Sequence, residues 1–270
     1  MTKSETRLLK TLEEFRECER IQQEVWGTVA ASGEVLSVTQ KYGGAVLGAF
    51  VGKEMVGFLF ALLARRKGRL IHWSHMMAVR EGFRDHGLGF RMKLLHRTIA
   101  LARGIKSICW TFDPLQSRNA YFNIARLGVS IEEYVVNCYG RFPSAIEKGL
   151  PSDRFVASWQ IASSALARRL RQSAAKRTAA GLERVNETRL NPQGLLENAR
   201  LHLNLRVPQV LVEIPVDTDA MRARNPDLSL RWRMQTRRIF QRYFAAGYRV
   251  ADFIPPRKAN AGRCFYVLVR

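Results

Sequence analysis

Two apolar runs, Gly43 to Val51 and Met55 to Leu63, are separated only by Gly52-Lys53-Glu54. Runs of that length around a glycine turn read as a β-hairpin. Before the hairpin, Arg7-Leu8-Leu9-Lys10 reads as a short first strand. Thr11, with Glu14 three residues on, then forms a capping box for a helix striped by Phe15, Cys18, Ile21 and Val25. Gly27 and Gly33 bracket a loop. After the hairpin, Leu70 to Val79 is a third strand-like run, ending at Arg80-Glu81-Gly82-Phe83. Leu88, Met92, Leu95, Ile99 and Ala102 recur at spacings of four and three, the period of an amphipathic helix, and Gly104 ends it. A strand from Ser107 to Phe112, the turn Asp113-Pro114, a helix from about Ser117 to Leu127 and strand-like stretches at 129–139 and 155–161 complete the series. Strands and helices alternating around a hairpin predict an α/β (α+β) chain, a mixed sheet with helices packed on its faces.

From 162 to about 200 the composition shifts to Ala, Arg, Ser and Asn, and large apolar residues thin out. A linker or exposed helix is the natural expectation. Core character returns in the strand Val210 to Ile214, a basic helix from Leu228 to Ala246, and strands Tyr248 to Ile254 and Phe265 to Val269. The expected organisation is a first domain over 1–161, a linker or exposed helix over 162–205, and a smaller C-terminal α/β subdomain over 206–270.

Several classes fall away on composition. No apolar run approaches the roughly 20 residues of a membrane-spanning helix, and Met1-Thr2-Lys3-Ser4-Glu5 lacks the apolar stretch of a secretory signal. The expectation is a cytoplasmic protein. Cys18, Cys109, Cys138 and Cys264 are scattered, with no CxxC pair and no His at ligand spacing, so buried thiols and no metal site are expected. A formal charge of +21 predicts attraction to polyanions, yet it is mostly Arg spread along the chain. No block of consecutive basic residues reads as a nucleic-acid arm, and a solvated surface explains the charge equally well. Arg231-Trp232-Arg233, with Arg237, Arg238 and Arg242, is the best candidate for a polyanion-binding face, with a solvated face as its alternative. Trp26, Trp73, Trp110, Trp159 and Trp232 read as core or pocket lining.

The informative stretch is Met76-Met77-Ala78-Val79-Arg80-Glu81-Gly82-Phe83-Arg84-Asp85-His86-Gly87-Leu88-Gly89. A strand runs into a loop with three glycines, and the loop opens the long amphipathic helix. Glycine lets backbone N–H groups turn towards a ligand without a Cβ in the way. A helix N-terminus adds donors and the positive end of a dipole. The physics therefore predicts an anion site, at a spacing that fits neither the Walker loop nor the dinucleotide fingerprint.

Arg84-Asp85-His86-Gly87-Leu88-Gly89 resembles the R/Q-x-x-G-x-G/A signature of the GNAT N-acetyltransferases. Asn119-Ala120-Tyr121-Phe122-Asn123-Ile124-Ala125-Arg126-Leu127-Gly128 is similar to the later helix of that family, which commonly ends in Leu-Gly. The element order agrees over about residues 5–160. The resemblance implies a mixed, mainly antiparallel sheet and an acyl-CoA cofactor, acetyl-CoA or another. Its pantetheine arm would lie along Met77, Ala78 and Val79. Its pyrophosphate would sit on Arg84, Asp85, His86, Gly87, Leu88 and Gly89, with Asn119 near the cofactor. The implied reaction is direct attack of an amine, from a small molecule or a peptide, on the thioester. Such attack needs a base, a donor for the oxyanion and a proton for the thiolate. His75, a water relay and Glu34 in the early loop are the candidates for the base; Tyr121 is the candidate thiolate acid, since Ile124 holds the position where the family carries a tyrosine. Arg80 and Arg91 also flank the loop. The alternative is an inactive scaffold of the same fold that binds RNA or DNA through its charge; nucleic acid is not the favoured partner. Oligomeric state stays open, a homodimer included.

Overall fold

The hairpin forms the centre of the N-terminal sheet. A computed structural model describes residues 4–140, 150–171, 179–258 and 262–270. They cluster into two compact units, the first comprising 4–110 and 160–163, the second 111–140, 150–159 and the described residues from 164 onward.

The first unit runs β1 (Ser4–Leu8), α1 (Leu12–Trp26), α2 (Gly33–Lys41), β2 (Ala45–Val51), β3 (Glu54–Arg66), β4 (Arg69–Val79), a 3₁₀ turn (Glu81–Phe83), α3 (Leu88–Ala102) and the start of β5 (Ile108–Phe112). β1, β2, β3 and β4 pair antiparallel in sequence order, and β4 pairs parallel with β5 at His72↔Ile108 and Trp73↔Cys109. The hairpin is apolar throughout because both of its faces are covered. One face carries Val46, Phe58 and Phe60 against Phe15, Cys18 and Ile21 of α1 and Leu36 of α2. The other carries Leu47, Ala49, Val56 and Leu59 against Leu88 and Met92 of α3. Thr11 caps α1 as expected, its Oγ1 accepting from Glu14 N at 3.3 Å, while the Glu14 carboxylate reaches one residue before the cap and accepts from Lys10 N at 2.6 Å.

Helix α2 departs from the expected loop. Ser32 caps it through Oγ, which accepts from Val35 N. Glu34 therefore sits in a first helical turn rather than in a loop. Only Gly33 and Leu36 of α2 are buried, which is why no apolar period announced it.

The second unit contains α4 (Ser117–Ala120), continued by a π-helical turn (Tyr121–Arg126), then β6 (Ser130–Val135), β7 (Arg154–Trp159), α5 (Ser164–Arg171), β8 (Glu183–Arg184), β9 (Asn186–Leu190), β10 (Leu196–Leu201), β11 (Gln209–Ile214), α6 (Thr218–Arg224), α7 (Pro226–Ala245), β12 (Arg249–Ile254) and β13 (Cys264–Val269). Its strands are ordered β7-β6-β12-β13-β11-β8, and β9 and β10 form a separate ribbon. All of these neighbours are antiparallel except β11 and β8. The sheets are thus mixed and mainly antiparallel, flanked by helices. Two expectations change. The segment 162–205 holds α5 and three strands, with 172–178 outside the described residues. The division of the chain also falls near 110 rather than at 161. Polar strands such as Asn-Glu-Thr-Arg-Leu carry little apolar signal because their partners are few and their outer faces are wet.

An aromatic cluster holds the second unit. Phe155 meets Phe240 edge-on at 4.6 Å and Tyr266 at 5.5 Å between ring centroids. Trp159 and Trp232 are fully buried and donate Nε1–H to Leu127 O and Leu196 O, both at 2.8 Å. The basic helix α7 is partly structural. Arg233 is buried and grips Asp113 through two bonds of 2.7 and 2.5 Å, and Arg237 donates to both oxygens of Asp153 at 2.9 Å. Burial pushes the Asp113 carboxyl up, but the charge and hydrogen bonds of Arg233 outweigh it and hold the group below its usual range. Arg231, Arg238 and Arg242 remain exposed.

Candidate functional site

The end of β4 is set by its register. Arg80 N donates to Val56 O at 2.8 Å, and Val79 lies opposite Gly57, Ala78 opposite Phe58 and Met77 opposite Leu59. In an antiparallel ladder the hydrogen-bonding direction alternates residue by residue. With Arg80 bonded towards β3, Ala78 also points there, and the backbone N–H and C=O of Met77 and Val79 point to the other edge. The β4–β5 ladder consists of His72 and Trp73 with their partners, so these amides lie past the paired part of that edge.

His75 is the bulged residue of this strand. Phe60 pairs with Met76 and Ala61 with Ser74, which leaves His75 opposite nothing. His75 is exposed, and its ring meets Phe60 edge-on, 6.0 Å between centroids. The surrounding apolar mass lowers its pKa below 6.5 by desolvation. His72, the other histidine of the strand, is fully buried. Its Nδ1 lies 2.9 Å from His96 Nε2 and its Nε2 lies 3.0 Å from Gly43 O. It is a core residue.

Beyond Val79 the chain turns sharply. Asp85 (φ 67°) and Gly87 (φ 73°) both take left-handed backbone, and Gly87 is the N-cap of α3 with no side-chain capping bond. Residues 84–87 are exposed, Leu88 is buried under the sheet face, and Gly89 is half-buried. A Cβ placed on Gly87 would meet nothing within 4 Å, so the space above the helix start is open. A short helix-opening loop with no acceptor on its cap is a fit for a phosphate-bearing group.

The flanking arginines differ in role. Arg80 is engaged: its guanidinium donates to Glu24 at 2.7 and 2.9 Å, to Glu17 at 2.8 Å and to Met55 O at 2.6 Å. It ties β4 to α1 and is no phosphate ligand. Arg84 Nε donates to Val79 O at 3.1 Å, with the rest of the guanidinium at the exposed loop. Arg91 reaches Ser4 Oγ at 2.7 Å. His86 is exposed.

Met77, Ala78, Val79 and the stretch from Arg84 to Gly89 thus form one continuous strand–loop–helix in the first unit, with His75 on the same strand. Glu34 does not join them by any contact. It lies 4.0 Å from Arg16 on the α1–α2 side, and its own backbone N–H and the Ser32 hydroxyl lower its pKa, which makes it a weaker base. Asn119 and Tyr121 belong to the second unit, Asn119 exposed and Tyr121 partly buried at the start of the π-helical turn. Ile124 is fully buried and has no proton to give.

Sequence reasoning passed over the polar cluster under α3. Lys93 is 2% exposed; its Nζ donates to Ser74 Oγ at 3.0 Å and lies 3.6 Å over the Trp110 ring. Desolvation lowers its pKa to about 7. His96 Nδ1 is buried without a partner among the described residues. The available signal was positional: 93 and 96 adjoin the apolar stripe of α3, where a charged residue is rare.

No protein-family model matches the chain, and no curated protein matches it. Solved structures similar to it in fold include an acetyltransferase of the GNAT family from Streptococcus pneumoniae. That protein is 16% identical, with 58% of this chain and 98% of that one covered and a TM-score of 0.47. The ribosomal-protein-S18-alanine N-acetyltransferase from Escherichia coli is similar at 13% identity, 60% and 96% coverage and a TM-score of 0.49. Naa50 from Arabidopsis thaliana, in complex with a bisubstrate analogue, is similar at 12% identity, 57% and 97% coverage and 0.47.

Proposed function

We propose that this chain is a GNAT-type, CoA-dependent N-acyltransferase, with acetyl-CoA the expected donor and a small-molecule or peptide amine the acceptor. The observation that carries the reading is the exposed 84–87 loop with a left-handed, uncapped Gly87 opening α3, in the sequence context that resembles the family signature. When bound, an acyl-CoA supplies an acyl group already activated as a thioester. The chain's own residues do the rest. Backbone N–H groups from Gly87 and the first turn of α3 bind the pyrophosphate, aided by the helix dipole and by the Arg84 guanidinium. The outward amides of Met77 and Val79 hold the pantetheine arm by extending the strand ladder, and one of them donates to the carbonyl oxygen as negative charge builds there.

His75, neutral at pH 7, takes the proton of the incoming amine, directly or through one water. For the proton returned to the departing thiolate, Tyr121 stands only as the candidate that the family resemblance implies, Ile124 having none to give. Melting the protein in the presence of increasing acetyl-CoA tests the assignment. A ligand that binds only the folded state stabilises it by about 2.7 kcal/mol at a hundred times its Kd. A saturable rise in melting temperature is expected, and a melting temperature indifferent to acetyl-CoA and CoA would sink the reading.

A further inference from the structure

The β3–β4 hairpin outgrows its sheet. β2 begins at Ala45, opposite Ala61, and β5 pairs with β4 only at His72 and Trp73. Past the Leu63↔His72 pair, the pairs Ala64↔Ile71, Arg65↔Leu70 and Arg66↔Arg69 continue as a two-stranded ribbon with neither neighbour beside it. The tip turns at Lys67 (φ 47°) and Gly68 (φ 76°), the left-handed pair that a tight hairpin turn needs.

This ribbon carries Arg65-Arg66-Lys67-Gly68-Arg69, four cations in five residues, and no Asp or Glu lies between Glu54 and Glu81. It is the concentrated basic segment that the sequence reading overlooked. Arg65, Lys67 and Arg69 are exposed, and among the described residues neither Lys67 nor Arg69 forms an ion pair. Arg66 and Arg69 face each other directly across the strands. Exposed cations continue at the ribbon's base: Arg103 donates to Gly43 O and Gly44 O at 3.1 and 2.5 Å, and Lys41 and Lys106 are exposed in the adjoining segments.

We infer that the β3–β4 ribbon is a docking arm for double-stranded DNA, reading the phosphate backbone from the major groove. Two strands about 4.8 Å apart enter a groove about 12 Å wide, which admits a two-stranded ribbon, whereas the major groove of duplex RNA is too narrow. Arginine's planar fork suits phosphate oxygens. No residue of the 79–89 loop takes part, so this docking stands or falls separately from acyl transfer.

Fluorescence anisotropy on a labelled DNA duplex of about two helical turns tests it, over a range of salt. The ribbon variant Arg65→Gln, Lys67→Gln, Arg69→Gln is compared with an α7-side variant of equal charge, Arg231→Gln, Arg238→Gln, Arg242→Gln. Each phosphate contact contributes about 0.9 to the slope of log affinity against log salt. The ribbon variant is expected to bind at least about tenfold more weakly with a slope shallower by up to about 2.7, and the α7-side variant to stay within about twofold of wild type. Circular dichroism checks folding, and Lys67→Asn, which suits the left-handed turn, gives a milder loss of the same kind should the triple variant fold poorly. Equal losses in both variants, or no loss in the ribbon variant, overturn the inference. So does wild-type protein that prefers duplex RNA, or that prefers phosphatidylserine vesicles and releases them when the ribbon is neutralised.

Discussion

His75 and Lys93 are both depressed by burial, yet their consequences differ. An imidazole that holds its proton only below pH 6.5 is neutral, and so competent as a base, at pH 7. The acidic limb of kcat/KM is expected to fall as pH drops through a value below 6.5, and His75→Gln to abolish that limb; a limb unchanged in the variant would assign the base elsewhere. Lys93 acts on stability. Its folded pKa of about 7 lies under the ordinary lysine value of 10.5, so between those values the unfolded chain binds the extra proton and stability rises with pH. The rise is bounded by about 1.4 kcal/mol per pH unit. Urea midpoints at pH 7 and 9 should differ in wild type and converge in Lys93→Met; equal slopes would show that the ammonium keeps its charge over Trp110.

At the scale of elements, the two units are stiffened by different devices: apolar layers on both faces of the hairpin in one, aromatic and ionic anchors of α7 in the other. Asp113→Asn leaves the buried Arg233 cation without its counter-charge, a loss expected to cost about 3 kcal/mol or more. Asp113→Asn with Arg233→Met should recover most of it, and thermal melts of the two variants compared with wild type check the order. If the double variant is the less stable, the pair is net stabilising rather than mutually required.

These elements also show what the sequence could and could not tell. Strands β2, β3 and β4 and helix α3 were legible because burial on one or two faces writes a dense apolar pattern. Helix α2 was not, since Val35 and Val38 face solvent and only Leu36 anchors it among its large apolar residues. Strands β8 to β10 hid in a polar stretch whose order comes from side chains such as Asn186, which bonds both backbone groups of Glu213. Such long-range polar pairing has no local period.

For the molecule as a whole, the loop before α3 was readable from glycine spacing alone, and its residues 84–87 are exposed. The roles of Arg80 and Glu34 were not readable, because each is decided by which carboxylate or cation tertiary folding brings beside it. The +21 charge is likewise uneven in its use, with Arg80, Arg233 and Arg237 spent on internal ion pairs and Arg65, Lys67 and Arg69 left in water.

The central claim is that the backbone at the start of α3 holds the phosphates of an acyl-CoA, and calorimetric titration of CoA into wild type, Gly87→Asn and Gly87→Glu addresses it directly. Asn tolerates the left-handed backbone of residue 87, and Glu adds a negative charge where the phosphates belong. Wild type and the Asn variant are expected to bind alike and the Glu variant at least about tenfold more weakly, a loss of about 1.4 kcal/mol. Equal affinity in all three proteins would contradict the account.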